Sequence, residues 1–129
     1  MNAGDQGDYV VLIIDDEDMV RNIGCRILSR LGYVPISAAS GKEAVLHCRH
    51  GDPVPDCLLV DFSMPGLNGA ETLAEIREFM PAIPAILATG YTLDALGIDG
   101  SANVWDGVIS KPFRVESLAA ALEKVRGKP

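Results

Sequence analysis

At 129 residues, with 48% hydrophobic and 22% charged side chains, the chain has the size and make-up of one globular domain, which argues against an intrinsically disordered chain and against a second domain. Eighteen acidic against 11 basic residues give a net charge of −7, which argues against general affinity for nucleic acid or anionic membranes. Apolar runs stop short of the roughly 20 residues a membrane helix needs, no signal peptide opens the sequence, and Cys25, Cys48 and Cys57 sit at spacings unsuited to a metal, so the expectation is a cytoplasmic protein with reduced thiols.

Residues 1–8, rich in Gly, Asp and Asn, read as a flexible leader before a folded domain over 9–126 and a short tail, 127–129. Tyr9 to Ile14 forms the first strand, and Asp15, Asp16 and Glu17 follow it directly. Val20, Ile23, Ile27, Leu28 and Leu31 then recur at helical spacing, with Asp18 placed to cap the helix and Gly32 to stop it. Tyr33 to Ala38 is a short second strand. Ser40-Gly41-Lys42-Glu43 has the form of a capping box and opens a helix to about Arg49, which Gly51-Asp52-Pro53 breaks. Between Asp56 and Asp61 the apolar run Cys57-Leu58-Leu59-Val60 is unbroken and ends in a carboxylate, closed by Pro65-Gly66, as suits a strand covered on both faces. Asn68 can cap a helix carrying Leu73, Ile76 and Met80, ended by Pro81.

Pro84 to Ala88 is the fourth strand and runs into Thr89-Gly90-Tyr91. Thr92 to Ile98 suits one or two helical turns, although Gly97 and Gly100 make it the weakest helix of the chain. Val108-Ile109 is a minimal fifth strand ending at Ser110-Lys111-Pro112, and the last helix, about Arg114 to Arg126, places Val115, Leu118, Ala119, Leu122 and Val125 on one face. Five strands alternating with five helical segments predict an α/β fold, a parallel sheet with helices on both sides, because right-handed crossovers leave little else.

Parallel sheets bind ligands at the carboxyl ends of their strands. That edge gathers Asp15 and Asp16 after the first strand, Asp61 at the third, and Thr89 and Lys111 after the fourth and fifth. Two like charges about 4 Å apart repel by roughly 4 kcal/mol at an effective dielectric of 20, so three carboxylates need counter-charge. Lys111 supplies one positive charge, and magnesium, which favours all-oxygen sites, would supply two more, with manganese able to substitute. Such a site suits phosphoryl transfer to Asp61, with Thr89 as hydroxyl donor and Gly90 as amide donor.

Ile14-Asp15-Asp16-Glu17, Val60-Asp61-Phe62-Ser63-Met64-Pro65-Gly66, Ala88-Thr89-Gly90 and Lys111-Pro112-Phe113, in this order and spacing, resemble the receiver domain of two-component response regulators, in particular the chemotaxis type. The resemblance covers roughly Val10 to Arg126. It implies a flavodoxin-like doubly wound sheet of strand order 2-1-3-4-5 with five helices. It makes Asp61 the phosphoacceptor, Asp16 a direct magnesium ligand, Asp15 a ligand largely through water, and Ser63 a ligand through its main-chain carbonyl. Thr89 would hydrogen-bond the phosphoryl oxygens, Lys111 would pair with them, and the Lys111-Pro112 bond would be cis. Ser63 and Tyr91 occupy positions that tune the lifetime of the aspartyl phosphate.

The implied partners are a histidine kinase or histidine phosphotransfer protein, a downstream protein or an output domain in a longer chain, and a weak homodimer. The resemblance also implies an aromatic residue three positions before the lysine, where this chain has Val108, so phosphate should shift the far face only partially. On this reading the chain is a switch that catalyses only its own phosphorylation and dephosphorylation. Two other readings stand beside it. A magnesium-dependent aspartyl-phosphate hydrolase would want an acid two residues after the nucleophile, where Ser63 stands, and a pseudo-receiver would bind partners without taking phosphate. Met19 lies near the acidic edge, free to dock a kinase helix or simply exposed. His47 and His50 read as solvated, Cys57 as core filling, and Trp105 as a packing or loop aromatic.

Overall fold

Three of the five strands have every residue buried, which is why their apolar runs are unbroken rather than alternating. The computed structural model describes residues 8–90 and 104–126. In chain order the elements are β1 (Val10–Ile14), α1 (Asp18–Arg30), β2 (Val34–Ala38), α2 (Gly41–His50), β3 (Cys57–Asp61), α3 (Gly69–Arg77), β4 (Ala85–Thr89), β5 (Gly107–Ser110) and α4 (Val115–Arg126). The strands form one parallel sheet of order β2-β1-β3-β4-β5. Four helices lie among the described residues; the helix expected over Thr92 to Ile98, most of the leader and the tail lie outside them.

Alternation along the strands divides the core into two layers. Leu12, Ile14, Leu58, Val60, Ala85 and Leu87 face α2 and α3, joined by Met64 and by Trp105, which is a packing residue. Val11, Ile13, Cys57, Leu59, Ile86 and Ala88 face α1 and α4, against Leu28, Leu118 and Leu122. Helices therefore cover both faces, and the carboxyl ends of the strands stay open between them. Burial pushes the Cys48 thiol up to about 11 and, aided by Asp106 and Asp56, the Cys57 thiol up to about 12, so both are unreactive core groups.

Several local expectations need correction. Asp18 is the first residue of α1, and Glu17 holds the cap position without a side-chain bond. The helix start is served from upstream instead, because the Glu17 amide donates to Asp15 Oδ1 at 2.9 Å. Ile23 is 45% exposed, since the buried stripe of α1 runs through Gly24 and Leu28. A Cβ at Gly24 would stand 2.7 Å from Ile13 Cδ1 and 3.1 Å from Phe113, so the missing side chain lets α1 press on the sheet. Val115 is likewise exposed at the start of α4.

α3 ends at Arg77, and Met80 is carried by a further turn in which its amide donates to the Ile76 carbonyl. The other helix signals match the structure. Gly32 follows α1 at φ +94°, and Ser40 Oγ accepts from the Glu43 amide. Asn68 and Glu71 close a reciprocal capping box. His47 is partly buried, with Nε2 3.1 Å from the Pro53 carbonyl.

Candidate functional site

The carboxyl ends of β1, β3, β4 and β5 bring their polar residues to one cleft of about 480 Å³, lined by Asp16, Glu17, Asp61, Ser63, Thr89, Gly90 and Lys111. Carboxylate oxygens of Asp15, Asp16 and Asp61 lie within 4.8 Å of one another. Lys111 Nζ donates to Asp15 Oδ2 at 3.1 Å and to Asp61 Oδ1 at 3.2 Å, and lies 3.8 Å from Glu17 Oε1. The Lys111-Pro112 peptide is cis, as is Asp52-Pro53. One ammonium thus serves three acids, Asp15, Asp61 and Glu17.

Asp15 and Asp61 are buried at 1% and 7% exposure, whereas Asp16 is exposed. Burial, followed by the charge of Asp15, pushes the Asp61 carboxyl up to about 6, even though Lys111 pulls the other way. Burial lowers the basicity of Lys111, but its hydrogen bond to Asp15 and the charges of Asp61 and Asp15 outweigh this, and its pKa is raised overall. Burial is the larger cause at Asp61, but in both shifts the neighbouring acids push upward, as crowded negative charge does.

β3 holds Asp61 in place from behind. The Gly69 amide donates to the Phe62 carbonyl at 2.9 Å, and a Cβ at Gly69 would stand 2.6 Å from the Asp61 carbonyl oxygen. The amino end of α3 therefore seats directly on the strand end that carries Asp61. Thr89 is buried at the end of β4, with its carbonyl accepting from the Lys111 amide at 3.0 Å. Ser63 is exposed in the cleft. Val108 is 44% exposed, pairs with Leu87 and does not line the cleft. Met19 is 73% exposed on α1. Tyr91 lies outside the described residues.

The donor set fits a hard divalent cation: carboxylate oxygens close enough to share one ion, few basic groups, and no soft ligand. Sequence reasoning did not single out Arg21, whose Nη1 donates to the Asp15 carbonyl at 2.7 Å and whose Nη2 pairs with Asp18. An arginine one turn into α1 after an acidic loop was the available signal.

The sequence profile of the response regulator receiver domain matches residues 11–123. The chain belongs to that family. Receiver domains are the phosphoacceptor modules of two-component signalling and generally bind magnesium at an acidic pocket. Among its relatives, the chain is 34% identical over 122 residues to the sensor kinase CckA of Brucella abortus, covering 95% of the chain and 13% of the kinase. It is 29% identical over 117 residues to the phosphate regulon transcriptional regulatory protein PhoB of Escherichia coli, covering 89% of the chain and 50% of the regulator. The chain therefore spans at most half of these two relatives. Among solved structures, the chemotaxis protein CheY4 of Vibrio cholerae superposes with a TM-score of 0.81 at 28% identity, covering 91% of this chain and 98% of that one. The receiver fold, its strand order and its acidic edge thus coincide in one molecule.

Proposed function

We propose that Asp61 accepts a phosphoryl group from a phosphohistidine donor in a magnesium-dependent reaction, and that the phosphorylated domain changes its binding to a partner. The observation that carries this reading is Lys111 held between Asp15 and Asp61, with Asp16 in the same cluster. A carboxylate oxygen of Asp61 attacks phosphorus. The new O–P bond forms as the N–P bond breaks, and the donor imidazole leaves with the electron pair and takes up a proton.

Lys111 Nζ pairs with the transferring oxygens, while the Thr89 hydroxyl and the Gly90 amide donate to the others. Asp16, Asp61 and the Ser63 carbonyl would hold magnesium, with Asp15 contributing through water. Bound magnesium supplies charge neutralisation between Asp61 and the incoming phosphoryl group. The raised pKa of Asp61 fits this assignment, because a cation in the cluster would lower it and favour the ionised nucleophile. Ser63 and Tyr91 set water access to the product, and Val108 in place of an aromatic leaves the shift of the far face partial.

A histidine kinase or phosphotransfer protein is the donor. Met19 and Ile23, exposed one turn apart on α1 beside the acidic edge, offer a donor helix an apolar contact. A downstream protein or an output domain reads the result. Among the described residues no helix is long and apolar enough to cross a membrane, which supports a cytoplasmic place for this exchange. Because Ser63 stands where a phosphatase of the aspartyl-phosphate type would keep its second acid, the chain acts on itself rather than turning over substrate. The test is incubation with acetyl phosphate and magnesium, followed by intact mass. A gain of one phosphoryl group in the wild type and none in Asp61→Asn is expected. A gain in both, or in neither, contradicts the assignment.

A further inference from the structure

Asp15 is an acid that is almost fully buried, and each of its polar atoms has a partner within the chain. Its amide donates to the Ala38 carbonyl at 3.2 Å, Oδ1 accepts from the Glu17 amide at 2.9 Å, and Oδ2 accepts from Lys111 Nζ at 3.1 Å. The remaining atom, the main-chain carbonyl oxygen, accepts from Arg21 Nη1 at 2.7 Å. That carbonyl belongs to the same rigid peptide plane as the Asp16 amide, so whatever fixes its direction also fixes where the Asp16 backbone leaves β1. Asp16 itself is exposed at the mouth of the cleft. The second arm of Arg21 pairs with Asp18, which ties the guanidinium to the first turn of α1.

We propose that Arg21 is a positioning residue for the cation site: by clamping the Asp15–Asp16 peptide to α1 it sets the place of the Asp16 carboxylate, and so the magnesium affinity. The inference rests on the proposed reading of the acid cluster as a magnesium site. Its sign separates it from a charge effect. Arg21 is a cation beside acids, so removing its charge alone would strengthen magnesium binding. Loss of the clamp weakens it instead. Partners that orient metal ligands without touching the metal typically contribute about 10- to 100-fold to affinity, and a single clamp on an exposed ligand belongs near the lower end.

The experiment is calorimetric titration of the metal-free protein with magnesium chloride, for wild type, Arg21→Met, Arg21→Lys and Asp18→Asn. Arg21→Met is expected to weaken binding about tenfold. Arg21→Lys, which keeps the charge and one donor, should fall between it and the wild type. Asp18→Asn, which removes only the exposed ion pair, should change affinity less than about twofold. Unchanged or tighter binding in Arg21→Met overturns the inference and leaves the site reading intact. No magnesium uptake by the wild type overturns both. Should Arg21→Met fail to fold, Arg21→Lys decides alone: weaker binding supports the clamp and wild-type binding overturns it.

Discussion

The two edges of the sheet use aspartate in opposite ways. At the amino edge, Asp56 Oδ2 accepts from the Val10 amide at 2.8 Å, and Asp106 Oδ2 accepts from the Ala85 amide at 2.9 Å and from Arg77 Nη2 at 3.2 Å. Each acid there extends a strand pairing by one bond and has donors of its own. At the carboxyl edge, carboxylate oxygens of Asp15, Asp16 and Asp61 cluster within 4.8 Å of one another, Asp15 and Asp61 share the Lys111 ammonium, and the Asp61 carboxyl is pushed up to about 6. A carboxylate with donors of its own is part of the scaffold, whereas the acids of the carboxyl edge share one lysine, which is what the proposed cation site requires. The chain keeps the two uses on opposite ends of the same strands.

Removing the shared cation at the carboxyl edge should have the largest effect. Lys111→Met is expected to slow phosphorylation by acetyl phosphate about 10²- to 10³-fold, as measured by stopped-flow quenching of intrinsic fluorescence or by timed mass spectra. A rate equal to wild type would remove Lys111 from the transferring group. At the amino edge the same kind of truncation should act on stability instead. Asp106→Ala leaves the Ala85 amide and one arm of Arg77 without this acceptor, so it should cost about 2–3 kcal/mol in urea unfolding and leave magnesium affinity unchanged. A loss of magnesium binding there would blur the distinction between the edges.

A smaller effect of opposite sign is expected from Asp61→Asn. The folded Asp61 pKa of about 6 lies above its ordinary 3.8, so the fold favours the protonated form. Metal-free stability should therefore fall as pH rises from about 4 to about 6 and stay lower above that window. Lys111 does not offset this trend, because stability from its raised pKa is lost only above its ordinary 10.5. In metal-free buffer near neutrality, Asp61→Asn should then be about 1–2 kcal/mol more stable than wild type, with the gap closing toward pH 4. A destabilised Asp61→Asn would mean that the Lys111 contact outweighs burial. Smallest of all, Asp56→Ala removes one bond to an exposed carboxylate and should cost about 1 kcal/mol in the same unfolding experiment.

How far the molecule was legible in its sequence also divides along these edges. β1, β3 and β4 are buried on both faces, so their apolar runs announce them, and the residues that end them mark the carboxyl edge. Capping residues Ser40 and Asn68 were readable because their bonds are local. Periodicity puts Ile23 on the buried face because it counts apolar side chains, whereas the contact is made by Gly24, which has none. Asp18 reads as a cap because nothing in the sequence says that Asp15 reaches forward to serve Glu17.

The clips of the amino edge were missed for a related reason. Asp56 and Asp106 each directly precede a strand, a pattern visible in hindsight, but their partners at Val10 and Ala85 lie 46 and 21 residues away. Arg21 acts on a backbone carbonyl six residues earlier, which composition and spacing do not reveal. Chemistry-bearing side chains at strand ends are legible; the contacts that aim them depend on the folded chain.

The central claim is that the carboxyl edge is short of positive charge and that a divalent cation makes up the deficit. The most direct test is the pH dependence of magnesium binding to the wild type, measured by calorimetry in two buffers of different ionisation enthalpy so that released protons are counted. With Asp61 at about 6, binding at pH 6 should release about half a proton, and affinity should rise between about pH 5 and pH 7 before levelling off. Affinity that stays flat across this range with no proton released, or no binding at all, would contradict it.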